Sequence, residues 1–214
     1  MSTFNTHESN HNNGNENYSQ AIFEDHETLF NDLTEFELHS AVKTKSTTAA
    51  KLARNAPRQH QGEMENLFNI SLYIHQRFET IHELPKQDIH GAITIFFYGI
   101  WSIYNRGASI PGQQFKNLID NTRKLMIERA DFLKEYEKST SKNRAALYET
   151  FAMVGNWLLM IQHHLNSQPD ETALNNIKIM VREIITRSLK VEPESIAISQ
   201  QGDLTISPQT HNEQ

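Results

Sequence analysis

Apolar residues recur every three or four positions along most of residues 61–190, and at one place they run together instead. Ile89 to Tyr104 reads IHGAITIFFYGIWSIY, with five aromatic residues and almost no polar surface. A helix that is apolar all round must be buried on several sides. At 16 residues the run is shorter than the roughly 20 needed to cross a bilayer. The β-branched stretch Ile93-Thr94-Ile95 would suit a strand, but the whole run is longer than most strands. It is read as a central helix, capped by Asp88, around which the other helices pack.

The flanking pattern supplies those partners. A first helix is expected from about Gln61 to Glu83, with Met64, Leu67, Phe68, Ser71, Ile74, Phe78 and Ile81 along its buried stripe and Pro85 beyond its end. After the Arg106-Gly107 stop, Ser109 and Pro111 open a helix to about Arg129, lined by Phe115, Leu118, Ile119, Thr122 and Met126. Ala130 to Glu137 reads as a short continuation or a bend. Ser139-Thr140-Ser141 offers caps for a long helix to about Leu165, with Leu147, Phe151, Val154, Leu158, Ile161 and Leu165 on one side. Pro169-Asp170 begins the last helix, with Leu174, Ile177, Val181, Ile184, Ile185 and Leu189 inward. Arg187 and Lys190 suit its negative end. Past Lys190 the period changes to two, through Ile196, Ile198, Leu204 and Ile206 around a Gly202-Asp203 turn. This is read as a short extended tail or a two-stranded hairpin. The fold class expected is all-α: a single five-helix bundle over residues 61–204.

Composition changes the picture at the ends. The hydrophobic share of 37% is low against the roughly 45–50% (counting Gly) of ordinary globular chains. The deficit lies in residues 1–20, which hold six asparagines, and in residues 205–214. Both are expected to be disordered. Residues 21–60 are expected to form an acidic and then basic flexible arm with room for a short helix. Ala21 to Val42 carries six carboxylates and no Lys or Arg, with Leu29, Phe30, Leu33 and Phe36 at helical spacing. This acidic arm is the candidate contact for a protein partner. Lys43 to Arg58 is basic, with one weak helical turn expected around Thr48–Asn55.

Charge excludes one class of function. Residues 1–62 sum to −3, residues 63–190 to +1 and residues 191–214 to −4. The folded part lacks the basic excess that binding a nucleic-acid backbone requires. With no cysteine in the chain, disulfides, thiolate zinc sites and a cysteine nucleophile are excluded. The N-terminus has neither a basic region nor an apolar run of the kind that marks a signal peptide. A cytoplasmic location is the default, with export lacking a classical signal the alternative; no membrane insertion is expected.

Chemistry-bearing patterns are few. His75, Glu79, His82 and Glu83 lie along one side of the first helix, and Glu79-Thr80-Ile81-His82 matches the Glu-x-x-His unit of di-iron bundles. That chemistry needs a second such unit, and the other match, Glu8-Ser9-Asn10-His11, sits in the polar leader. These four residues are therefore read as a solvated face with Glu–His pairs. No metal site and no cofactor are assigned. His163 and His164, as helix neighbours, point about 100° apart and do not share an ion easily. His7 and His11 belong to the leader's composition. Gly91, Gly99 and Gly155 inside predicted helices mark close approach of neighbouring backbones. Phe96, Phe97, Tyr98, Trp101, Tyr104 and Trp157 are read chiefly as core. Within this set Tyr98, Trp101 and Trp157 are the candidate lining of a ligand pocket. Catalytic residues are unknown.

From about Arg54 to Leu204 the pattern resembles an uncharacterised bacterial all-helical family, a domain of unknown function. Asp88, Ala92, Phe96-Phe97 and Trp101 match its central helix in order. Pro111 with Phe115 matches the opening of the next, and Glu149 to Pro169 its long helix. The resemblance implies a fold and transfers no site residues. The function expected is a non-enzymatic interaction or accessory protein. The alternative is a small-ligand-binding or enzymatic bundle with an aromatic-lined pocket. The oligomeric state is unknown.

Overall fold

Capping side chains set most of the helix starts. The computed structural model describes residues 40–43, 45–108, 110, 112–128 and 130–207. After a helical turn at residues 40–43 come α1 (Thr47–Ala53), α2 (Gln61–Ile81), α3 (Ile89–Tyr104), α4 (Gly112–Glu128), α5 (Ala130–Lys138), α6 (Ser141–Ser167) and α7 (Glu171–Leu189). Strands β1 (Ile196–Ile198) and β2 (Leu204–Ile206) close the fold. Ser46 accepts the Thr48 and Ala49 N–H groups, and Asp88 those of His90 and Gly91. Thr140 accepts from Asn143 N–H and Asp170 from Ala173 N–H. Each cap satisfies amides that the first helical turn leaves without partners.

The helix α3 is the hub, with every residue buried except His90, Phe97 and Tyr104. Its largest contact is with α6, which in turn takes α2, while α1 lies on α2 and α6. The helices α4 and α7 and the first strand cover the remaining sides of α3. The α3–α6 contact is made backbone to backbone. A Cβ added at Gly99 would stand 2.7 Å from the Gly155 carbonyl oxygen, and one added at Gly155 would stand 2.7 Å from Ile95 C and Phe96 N. The expected close approach is therefore real at Gly99 and Gly155.

The all-α class holds, but the five-helix count does not: seven α-helices are present among the described residues. Ala130–Lys138 is a helix of its own rather than a bend. Thr47–Ala53, where a weak helical turn is expected within the basic arm, is a packed two-turn helix, with Ala49 0% and Ala53 2% exposed. Its buried side is alanine and threonine, so hydrophobic periodicity gives little sign of it. The tail forms the hairpin alternative, antiparallel with Ile196 opposite Ile206 and Ile198 opposite Leu204. The expected disordered ends, residues 1–20 and most of 205–214, lie outside the described residues.

Gly155→Ala is expected to destabilise the fold by about 1–3 kcal/mol, despite the ~1 kcal/mol that alanine otherwise gains in a helix. Gly62→Ala, where a Cβ meets nothing within 4 Å, is expected to be stabilising by up to about 1 kcal/mol. Urea unfolding of the two variants beside the parent checks both signs.

Candidate functional site

Among the described residues a buried polar chain and an apolar pocket stand out from ordinary core packing. The polar chain starts on α2. His75 is 0% and Glu79 4% exposed, so half of the face expected to be solvated is interior. His82 is half-buried and Glu83 exposed. The reason is α6, which brings polar side chains to the same seam. Asn156 Nδ2 lies 3.3 Å from His75 Nδ1, and His75 Nε2 lies 3.7 Å from Glu79 Oε1. The Tyr148 hydroxyl is buried beside Glu79 and acts on its carboxyl as a hydrogen-bonding neighbour.

Glu79 binds the backbone of the turn that follows α2. Its carboxylate accepts the N–H of Asp88 at 3.0 Å and of Gln87 at 3.3 Å. These bonds hold a turn in which Glu83 and Gln87 both have positive φ, a strained conformation for non-glycine residues. Asp88 continues the chain. While capping α3 it accepts from Arg123 Nη2 of α4 at 2.9 Å and lies 3.1 Å from His90 Nδ1. One polar path therefore links α6, α2, α3 and α4.

The electrostatics follow from burial and partners. Burial pushes the Glu79 carboxyl above its ordinary range, against the pull of Tyr148 and the two amides. Burial acts the same way on Asp88, but its bond to His90 and the Arg123 charge outweigh it and hold that carboxyl low. The Tyr148 hydroxyl is pushed up by burial and then by the neighbouring Glu79 charge. A cleft of about 690 Å³ lined by Gln76, Glu79, Thr80, Glu83, Leu84, Lys86 and Gln87 lies outside Glu79. Glu79 forms part of its wall with each carboxylate oxygen held by one amide, while His75, with no exposure, lies behind it in the interior.

The apolar pocket is different in kind. It holds about 220 Å³ and is lined by Ile93, Phe97, Leu125, Met126, Phe151, Leu189, Val191 and Ile206. Thus α3, α4, α6, the end of α7 and the second strand all contribute. Among the described residues no polar side chain lines it. A closed apolar cavity of about 150 Å³ already accepts benzene, so this one has room for one or two apolar side chains.

The aromatic residues singled out from the sequence lie elsewhere. Tyr98 is 3% exposed, stacks on Trp101 at 5.9 Å and meets Phe115 edge-on at 5.6 Å. Its hydroxyl is held by the backbone of Ile110. Trp157 packs on Phe68 at 5.9 Å and lines a crevice of about 10 Å³ with Phe96, Ile100 and Val154. The structure thus pairs Tyr98 with Trp101 and places Trp157 against another part of the core. On α6, His163 is half-buried and His164 exposed. Among the described residues no three His, Cys, Asp or Glu side chains converge as metal ligands, and no helix is long and apolar enough to cross a membrane.

Sequence reasoning missed the pocket walls and the polar seam. The seam had a signal: Tyr148, Ala152, Gly155, Asn156, Leu159 and Gln162 form a second, small and polar stripe on α6. The pocket had none, because its walls come from five separate elements.

A family model described as "Family of unknown function (DUF6683)" matches residues 3–206. The chain belongs to this family. The match contains the resemblance read over residues 54–204 and extends it through the acidic arm. No curated protein and no solved structure matches the chain. Membership in DUF6683 therefore brings a shared fold and leaves the site to be argued from its own residues.

The sign of the Glu79 effect is testable. A carboxyl raised by folding stabilises the fold while protonated and loses that contribution as pH rises through its folded value. Glu79→Gln is immune to this titration. The stability of Glu79→Gln minus that of the parent is therefore expected to become more positive between about pH 4 and pH 7. Paired urea titrations read the difference; a flat or falling difference contradicts the assignment.

Proposed function

We infer that this protein is a non-enzymatic interaction domain whose receptor site is the apolar pocket between α3, α4, α6 and the hairpin. The observation that carries this reading is the pocket's lining, which among the described residues is apolar throughout at about 220 Å³. A catalytic site needs polar groups converging on a space that substrate can reach. The polar groups of the α2–α6 seam are instead spent on tying helices together. An apolar recess without polar orienting groups takes up side chains of a partner segment, and its specificity comes from shape and from charges at its rim.

The ligand class is therefore an amphipathic peptide presenting one or two large apolar side chains. Helix-in-groove recognition works in this way, with anchors spaced three or four apart. The expected outcome is that a neutral fluorescent probe, N-phenyl-1-naphthylamine, binds the full chain with an emission blue shift. Leu125→Asp puts a charge in the pocket wall and is expected to weaken binding at least tenfold while leaving the helical circular dichroism intact. Unchanged binding in a folded Leu125→Asp protein would place the probe elsewhere and remove the reading.

A further inference from the structure

A second cleft lies where α3 and α6 end and α7 begins. It holds about 110 Å³ and shares no wall residue with the apolar pocket. One of its walls is Gln162, which is only 4% exposed. The Gln162 Nε2 donates to Asn166 Oδ1 at 2.7 Å. Its Oε1 is buried and receives no hydrogen bond from any described residue. Buried carbonyls in this condition are uncommon in native folds, and the adjoining cleft is where a donor can enter.

The chain holds this amide in place. Just past α3, Arg106 takes the left-handed conformation with φ 55°, and the Gly107 N–H returns to Ser102 O at 2.9 Å. The reversal brings Gly107 against the Asn166 amide, where an added Cβ would stand 2.7 Å from both of its polar atoms. Asn166 is thus backed by the chain, and Gln162 is held through Asn166.

Charge narrows the ligand. Among the described residues the walls carry two carboxylates, Asp170 and Glu171, against one cation, Arg106. The negative ends of α3 and α6 point to the same place. The positive end of α7 is offset by Asp170, whose Oδ1 accepts the Ala173 N–H at 2.9 Å. An acceptor carbonyl beside an excess of carboxylates suits a cation that carries N–H donors. The rim already takes one such group, since Arg106 Nη1 lies 3.5 Å from Glu171 Oε1 with both side chains mostly exposed. That exposed pair leaves Gln162 Oε1 unmet. Leu165 and Leu174 supply apolar wall, which favours a planar, weakly hydrated guanidinium over a compact, strongly hydrated ammonium.

We propose that this cleft binds a guanidinium group, which donates to Gln162 Oε1 and to the carboxylates of Asp170 and Glu171. The volume admits a headgroup of this size and excludes a drug-sized ligand. The group arrives on a small molecule or on the arginine side chain of a partner. The site is independent of the apolar pocket and of what that pocket receives.

The test titrates the isotope-labelled full chain with methylguanidinium at constant ionic strength, following the Gly107 and Glu171 amides by NMR. Saturable shifts at both are expected, with an affinity at least fivefold above that for methylammonium. Gln162→Met removes the acceptor and is expected to weaken binding at least tenfold. Glu171→Gln, a change at an exposed side chain, is expected to weaken it at least threefold. Arg106→Gly removes the resident competitor and its like charge, and is expected to tighten binding at least twofold. A blocked tripeptide with a central arginine separates the two sources. Binding as tight as that of methylguanidinium assigns the site to a partner's side chain, and exclusion assigns it to a free small molecule. Equal shifts with methylguanidinium, methylammonium and sodium show only screening of an acidic rim and overturn the proposal. Absence of saturable shifts in both the parent and Arg106→Gly overturns it too, as does unchanged affinity in a folded Gln162→Met protein. Saturable binding of acetate instead would make the buried Gln162 atom a donor and reverse the assignment.

Discussion

The contact of Gly99 with Gly155 is the constraint on which the rest of the arrangement depends. With no Cβ on either side, α3 and α6 approach until backbone meets backbone, closer than larger residues at the crossing would allow. Larger residues are displaced to the flanks of the crossing. There Phe96 meets Phe151 edge-on at 5.0 Å and Leu158 is fully buried. Because α6 occupies one side of α3 so completely, the thinner elements must cover what remains. The helix α4 presents Phe115, Leu118 and Ile119, and the hairpin presents Ile196, Ile198 and Leu204 to the same core. An all-round apolar helix is thus made compatible with water by a ring of unequal neighbours.

The polar seam has a different job from the glycine crossing. Isolated polar groups in an interior cost about 1–3 kcal/mol each when left without partners. The α2–α6 seam nevertheless holds Asn156 Oδ1 and Gln162 Oε1 in that condition. What the seam surrounds is the turn between α2 and α3, whose amides bond to Glu79 and whose last residue, Asp88, is tied to Arg123. A slip of α6 by one residue would rotate Asn156 away from His75 and leave several polar atoms facing hydrocarbon. The seam thus penalises alternative registers, which a purely apolar interface of similar size would tolerate.

What the sequence made legible follows from where the energy lies. The stripe of α4 is buried as the spacing predicts, at Phe115, Leu118, Ile119, Thr122 and Met126. Asp88, Thr140 and Asp170 cap where the chain chemistry places them. Period-based reading weakened on α2 and α6, because both are buried on more than one side. Ile81, read as inward, is 50% exposed, while Asn69, His75 and Glu79 are inside. On α6 the expected stripe residues Leu147, Phe151, Val154 and Ile161 are only half-buried. A single amphipathic face is visible in sequence; a helix that serves two interfaces is not, unless polar residues at the second are recognised as partners.

The pocket was illegible for a related reason, and its energetics say why it matters. At roughly 24 cal/mol per Å³, a dry void of about 220 Å³ would cost on the order of 5 kcal/mol. That is comparable with the lower end of total domain stability. The pocket opens to solvent, so water can enter and the actual cost is smaller, but its walls then lie wet without a polar partner among them. Natural cores normally remove such space by exchanging a small side chain for a larger one, a single-residue change. Here Val191 and Leu189, at the junction of α7 and the hairpin, leave the space open instead. On the reading proposed above, an apolar side chain seated in the recess would remove the remaining cost of those wetted walls.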